Sequence, residues 1–161
     1  MASTVITIGG DGQFTFCAAH AGLHDGQFEP LHGHTFTVTL RLHGDPDPAG
    51  MVLDFSTVKS ELRAVIAPLR RRTLMPATPP GGRCEREGEQ VIIGCGTKLY
   101  SFPAGDVVLL PVANTTTEEI AAYLLDQLTT RLGTGQICAA ELVLAEASDT
   151  SVTVTTVAGQ R

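Results

Sequence analysis

The chain has 161 residues, a formal net charge of −6 and 43% hydrophobic residues, a size that buries about 70% of the unfolded surface in one domain. Its eleven basic residues, nine of them arginine, are scattered except for one cluster, so the basic stripe that nucleic acid needs is missing. No apolar run approaches the ~20 residues of a membrane span, and the opening Met1 to Ile8 has neither a basic n-region nor a long apolar one, which predicts no secretory signal and a cytoplasmic location.

Residues 5–8 read as a short strand. Gly9-Gly10-Asp11-Gly12 is a turn cluster, so residues 5–8 and 13–20 form a hairpin or one bulged strand. In 13–20, Phe14, Phe16, Ala18 and His20 share one face. Residues 21–31 form a loop with His24, Asp25, Glu29 and Pro30. The long strand 34–43 alternates His34, Phe36, Val38, Leu40 and Leu42 with Thr35, Thr37, Thr39 and Arg41, which puts His32 and His34 in the row facing the core. Two prolines in residues 44–50 end it.

Asp54 is the predicted N-cap of a first helix, with an apolar stripe of Phe55, Val58, Leu62, Val65, Ile66 and Leu69. Pro68 predicts an end or kink, and Arg70-Arg71-Arg72 is either a solvated helix end or an anion site. Residues 76–111 are irregular, with short strands at 90–93 and 107–110, and read as an inserted hairpin or two within a single domain. Thr116 with Glu119 predicts a capping box for a second helix, whose stripe is Ile120, Ala121, Leu124, Leu125, Leu128 and Leu132, ending at Gly133. Strands at 137–147 and 151–157 close the chain. Glu146 shares a face with Leu142 and Leu144, so it needs a wet strand end or a hydrogen-bonding partner. The order predicts an α+β fold, an antiparallel sheet with two helices on one face.

If 13–20 pairs with 34–43, His20, His32 and His34 converge at one end of the sheet. Three neutral imidazoles with an open fourth position are the ligand set of a catalytic zinc. Such an ion brings a bound water or hydroxyl to a pKa near ~7, or polarises a carbonyl. The competing reading is three ordinary strand histidines, each satisfied alone. Cys17, Cys84, Cys95 and Cys138 form no CxxC pair and are expected to be reduced, with Cys84 and Cys95 within reach of each other across a hairpin as the alternative.

Phe16-Cys17-Ala18-Ala19-His20, His32-Gly33-His34-Thr35-Phe36, Gly50-Met51-Val52-Leu53-Asp54-Phe55, Asn114-Thr115-Thr116-Thr117-Glu118 and Leu144-Ala145-Glu146-Ala147 follow one another in an order and spacing that resemble the 6-pyruvoyl-tetrahydropterin synthase family, including its 6-carboxy-tetrahydropterin synthases. The resemblance implies a tunnelling fold assembled into a homo-oligomeric ring, a trimer or a hexamer of stacked trimers. It implies zinc on His20, His32 and His34, and a small-molecule pterin substrate held by Glu146, with Thr116 and Glu118 near that pocket. It implies neither a nucleic-acid nor a membrane partner.

The chain departs from that family where the proton is moved. The usual cysteine, four residues before the first histidine of the pair, is Phe28, and the usual Asp-His pair is Arg70-Arg71. Phenyl has no proton to move and guanidinium stays charged. Glu29 stands three residues before His32 and is the first candidate to take over; His24 is the second. A branch with glutamate there resembles enzymes that cleave the dihydroneopterin side chain to a 6-hydroxymethyl-pterin, whereas a solvated loop glutamate is the bland alternative. The leading expectation is therefore a zinc-dependent lyase of a dihydroneopterin (triphosphate)-type substrate. The alternatives are a paralogue using the zinc as a Lewis acid on a non-pterin substrate, and a non-catalytic pterin-binding oligomer.

Overall fold

The computed structural model describes residues 4–133 and 135–157. In chain order its elements are β1 (Thr4–Gly9), β2 (Thr15–His20), β3 (Leu23–His24), β4 (Gln27–Phe28), β5 (His32–Gly44), α1 (Phe55–Ile66), a 3-10 turn (Ala67–Leu69), β6 (Arg72–Pro76), β7 (Arg83–Glu87), β8 (Gln90–Cys95), β9 (Lys98–Pro103), β10 (Val107–Leu110), α2 (Thr117–Leu132), β11 (Ile137–Ala147) and β12 (Thr150–Val157).

The long alternating strand β5 is the spine. β11 pairs antiparallel along one of its edges, with Leu142 opposite Leu40, and β12 pairs antiparallel with β11. β1 and β2 both run antiparallel to β5, Gly9 opposite Thr39 and Thr15 opposite Thr37, so the glycine cluster is a bulge in one interrupted strand and not a hairpin turn. Glycine is needed there: φ at Gly9 is +94°, and a Cβ would meet the Val38 carbonyl oxygen at 2.4 Å. The sheet is antiparallel through this centre, as expected. It is extended in parallel by β6 beside β2 and by β10 beside β6, which makes the whole seven-stranded sheet mixed.

One face of the sheet carries Phe16, Phe36, Val38, Leu40, Leu42, Leu142 and Leu144, all nearly or fully buried against Val58 and Leu62 of α1 and Leu124 and Leu128 of α2. Phe16 stacks on Phe36 with ring centroids 5.0 Å apart. Burying one such side chain is worth about 1.5–3 kcal/mol, so this layer holds the fold together. The Asp54 carboxylate accepts the Thr57 N–H at 2.8 Å and starts α1, while Pro68 converts the helix end into the 3-10 turn. Phe55 leaves the expected stripe: as the first residue of α1 it is 53% exposed, at the rim of an apolar groove shared with Ile6, Met51 and Leu53.

The insertion holds more order than two short strands. β7, β8 and β9 form an antiparallel meander, and β10 leaves it to join the main sheet. Its apolar side builds a second, smaller core of Ala21, Phe28, Met75, Val91, Ile93, Cys95 and Val107. Cys84 stands opposite Ile93, and all four cysteines are free thiols.

Candidate metal centre

His20 ends β2 and His32 begins β5, opposite each other in register, with His34 opposite Ala18. The ring centroids lie 4.6 Å (His20–His32), 5.3 Å (His20–His34) and 5.0 Å (His32–His34) apart. One ligand atom from each lies within 4.8 Å of the other two. Phe36, next in the same row, presents its ring to His20 and His34 at 5.7 and 5.6 Å and floors the cluster. Burial is graded: His20 is 4% exposed, His34 half-buried and His32 exposed, so the cluster opens on the His32 side.

The backbone decides which nitrogen each ring offers. His20 Nδ1 lies 2.7 Å from the Thr115 carbonyl and His32 Nδ1 lies 2.8 Å from the Pro30 carbonyl. A carbonyl only accepts, so Nδ1 carries the proton in both and Nε2 keeps its lone pair. His20 Nε2 is buried without a hydrogen-bond partner among the described residues. A lone buried acceptor costs free energy unless something fills its valence. Two of the three rings thus have the carbonyl-backed orientation that metal-ligating histidines adopt. Burial holds His20 below the usual histidine pKa, opposed by the Thr115 carbonyl and Glu146 and aided by the other two imidazoles. The neutral ring is the form that ligates. On donor type, spacing and the orphaned Nε2, the three residues fit a metal ion.

The segment before α2 is laid along the end of β2. Asn114 exchanges two hydrogen bonds with the Leu23 backbone, at 2.7 and 3.1 Å, and the fully buried Thr115 donates its hydroxyl to the Ala21 carbonyl at 3.1 Å. Glu146 sits at a bulge in β11, between Ala145 opposite Ser151 and Ala147 opposite Thr150. It is half-buried, and the Thr117 hydroxyl donates to its Oε2. Sequence reasoning named Thr116 and Glu118 here. Thr116 is spent as the cap, accepting the Glu119 N–H at 3.4 Å, and Glu118 is exposed on the first turn. The residue between them makes the contact. A run of three threonines was the available signal, because only one of them can cap.

Glu29 lies in the loop joining the two ligand strands, and its Oε1 accepts the Gly22 N–H at 3.1 Å. His24 is apart from the cluster: it sits on the β3–β4 hairpin with its side chain 82% exposed and pairs with Asp25 at 3.1 Å. The positive φ of Asp25 (49°) and Gly26 (76°) makes a tight turn that aims this hairpin tip at solvent. Phe28, where a cysteine was expected from the resemblance, is 1% exposed inside the second core. Arg70 to Arg72 are exposed and form no ion pair among the described residues. His43, on the opposite face of β5, pairs with Glu141 at 2.9 Å. No helix among the described residues is long and apolar enough to cross a membrane.

A sequence profile described as "6-pyruvoyl tetrahydropterin synthase" matches residues 11–157. The chain is 34% identical over 122 residues to a 6-carboxy-5,6,7,8-tetrahydropterin synthase of Haemophilus influenzae, spanning 72% of this chain and 78% of that one. It is 28% identical over 120 residues to a putative enzyme of the same name from Methanocaldococcus jannaschii, spanning 73% and 72%. The crystal structure of a 6-pyruvoyl tetrahydropterin synthase from Plasmodium vivax superposes with a TM-score of 0.90 at 29% identity, over 98% of this chain and 99% of that one. A variant of that Plasmodium protein, in which a glutamate described as a catalytic residue is replaced by alanine, matches equally well, with a TM-score of 0.90. The curled mixed sheet and its two helices are thus those of a tunnelling fold, and the chain belongs to the 6-pyruvoyl tetrahydropterin synthase family.

Proposed function

We propose that the chain is a zinc-dependent lyase acting on a dihydroneopterin-type pterin, free or as its triphosphate, with Glu29 as the proton-transfer group. The family acts on pterins as a lyase. The observation that carries the zinc reading is the orphaned, buried Nε2 of His20 inside a three-imidazole cluster. His20, His32 and His34 would hold the ion. Zinc bound there supplies Lewis acidity to the substrate's side-chain hydroxyls, lowering their pKa.

The chain's own groups do the rest. Glu146 accepts two N–H bonds from the guanidine-like edge of the pterin, a bidentate contact that fixes the ring plane. The Thr117 hydroxyl on its Oε2 orients the carboxylate for that contact. Thr116 and Glu118 flank it on the first turn of α2 and serve the pocket only through the helix end they build. Glu29 removes the proton from a side-chain hydroxyl as the carbon–carbon bond next to the pterin breaks, and returns it to the carbon left on the ring. A glutamate named as catalytic in the Plasmodium vivax relative supports a carboxylate in this role. Phe28, in the usual cysteine's position, cannot move a proton, which leaves Glu29 as the candidate on that loop; His24 belongs to the solvent-facing tip.

Assembly as a homo-oligomer is part of this reading. Among the described residues, β12 pairs only with β11, so one edge of an eight-residue strand is open to another copy. The deciding experiment is metal analysis of the purified protein, followed by incubation with dihydroneopterin and its triphosphate and mass spectrometry of the products. About one zinc per chain and a cleaved pterin, with Glu29→Ala retaining zinc and losing turnover, is the expected outcome. Full activity in Glu29→Ala removes that residue from the mechanism. Zinc with untouched, unbound pterins moves the protein to a different carbonyl substrate.

A further inference from the structure

Glu29 is held more closely than a surface loop residue needs to be. Its N–H donates to the Gly22 carbonyl at 2.8 Å while its Oε1 accepts the Gly22 N–H at 3.1 Å. A Cβ on Gly22 would meet that Oε1 at 2.3 Å and the carboxylate carbon at 3.3 Å. Gly22 has no positive φ, so the backbone does not require glycine there. The carboxylate requires it, because it packs on a bare Cα. Gly22 follows His20 by two residues and Glu29 precedes His32 by three, so this contact closes the loop that joins the two ligand strands.

The inserted sheet grips the same loop from the other side. The Tyr100 hydroxyl on β9 donates to the Glu29 carbonyl at 3.3 Å. The Tyr100 ring stands edge-on to Phe28 at 5.9 Å and stacks on Phe102 at 5.7 Å. At the β8–β9 turn, Thr97 bonds the Gln27 side chain and Cys95 bonds the Gly26 carbonyl, both at 3.3 Å. Beyond Glu29, Pro30 restricts the residue before it to extended backbone, and its carbonyl accepts from His32. The loop is therefore fixed to a ligand histidine on the His32 side. Among the described residues, the hydrogen bond to the Glu29 side chain uses Oε1 and leaves Oε2 unengaged.

We propose that Gly22 and the inserted sheet form a two-point mount that fixes the Glu29 carboxylate between the ligand strands, which makes Gly22 and Tyr100 positioning residues for the proton transfer. The proposal rests on the reading of Glu29 given above. It assigns the insertion the role of setting the base, and it accounts for Phe28: the side chain in the usual cysteine's place ties the loop to the second core.

The test uses the full-length, zinc-loaded protein with dihydroneopterin, comparing wild type, Gly22→Ala, Tyr100→Phe and Glu29→Ala. The group in the way of a Gly22 methyl is the end of a flexible side chain, so Gly22→Ala is expected to keep wild-type zinc content and melting temperature. Its kcat falls about 100-fold, the cost of a misplacement of roughly 1 Å, while KM stays within about threefold because pterin binding is elsewhere. Tyr100→Phe keeps the ring packing and loses about tenfold in kcat. An independent readout is the Gly22 amide in 15N–1H spectra, which shifts upfield and exchanges faster in Glu29→Ala as its acceptor is lost. Wild-type kcat in both Gly22→Ala and Tyr100→Phe, beside an inactive Glu29→Ala, overturns the mount and leaves Glu29 as the base. An unmoved Gly22 amide also overturns it. An active Glu29→Ala overturns the base assignment itself.

Discussion

The molecule has two cores, and the candidate centre lies on the seam between them. The first is the thick layer of Phe16, Phe36, Leu40, Leu142 and their helix partners; the second is the small cluster of Phe28, Met75, Val91 and Ile93 under the meander. The chain crosses from one to the other within a few residues: Ala18 is in the first, Ala21 in the second, and His20 stands between them. Leu74 and Met75 divide the same way. The first core sets where the imidazoles are, because β2 and β5 share its register. The second sets where the loop between them goes. A rigid layer thus carries the three histidines, and a smaller, separately packed unit holds the loop that carries Glu29, the base of the proposed reaction.

The largest effect is expected from breaking the ligand set on the first core. His34→Ala leaves two imidazoles and should lose its metal on dialysis against a chelator, with activity falling to background and the fold kept; elemental analysis and circular dichroism check both. Retained stoichiometric metal would break the comparison at its root. Next, the cores should differ in global weight. Phe36→Ala, at 0% exposure in the first core, is expected to cost about 3–5 kcal/mol in denaturant unfolding. Phe28→Ala, at 1% exposure in the second, should cost clearly less globally and instead lower hydrogen-exchange protection in the loop and in β8 and β9 alone. Equal global costs would mean that the two cores unfold as one.

A smaller effect belongs to Glu146, the proposed pterin anchor. Thr117→Val keeps the shape and removes the donor to Glu146. Because a hydrogen bond to a charged group is worth about 1.5–3 kcal/mol, pterin binding should weaken at least about tenfold by calorimetry, with zinc content unchanged. The smallest concerns acid stability of α1. Asp54 accepts the Thr57 N–H and hydroxyl, which hold its carboxyl below its ordinary value of 3.8. A depressed carboxyl stabilises the fold above its unfolded pKa, and that contribution is lost as pH falls through the folded one. The stability gap between wild type and Asp54→Ala should therefore be constant near neutrality and shrink below about pH 4. Urea titrations at several pH values measure it.

Period-two and period-3.6 patterns made most of the first core legible in the sequence. Phe14, Phe16, Ala18 and His20, the β5 row and both helix stripes apart from Phe55 fall where these periods put them, and with them the three histidines. Four things were not legible. The parallel edges β6 and β10 depend on how the chain returns after α1, which no local pattern encodes. The strength of the second core was hidden because Lys98 to Phe102 alternate only weakly and their apolar partners come from distant segments, Ala21, Phe28 and Met75. The choice of Thr117 over Thr116 hinges on which of three adjacent hydroxyls becomes the cap, a difference of about 100° around a helix. Gly22 reads as one more loop glycine until the Glu29 carboxylate is seen to lie against it.

The most direct measurement is zinc-edge X-ray absorption on the purified protein with and without a bound pterin. The account predicts three imidazole nitrogens at about 2.0–2.1 Å and a fourth, oxygen position that changes when the pterin binds. Sulfur in the first shell, a closed shell indifferent to the pterin, or no metal bound by the cluster would contradict it.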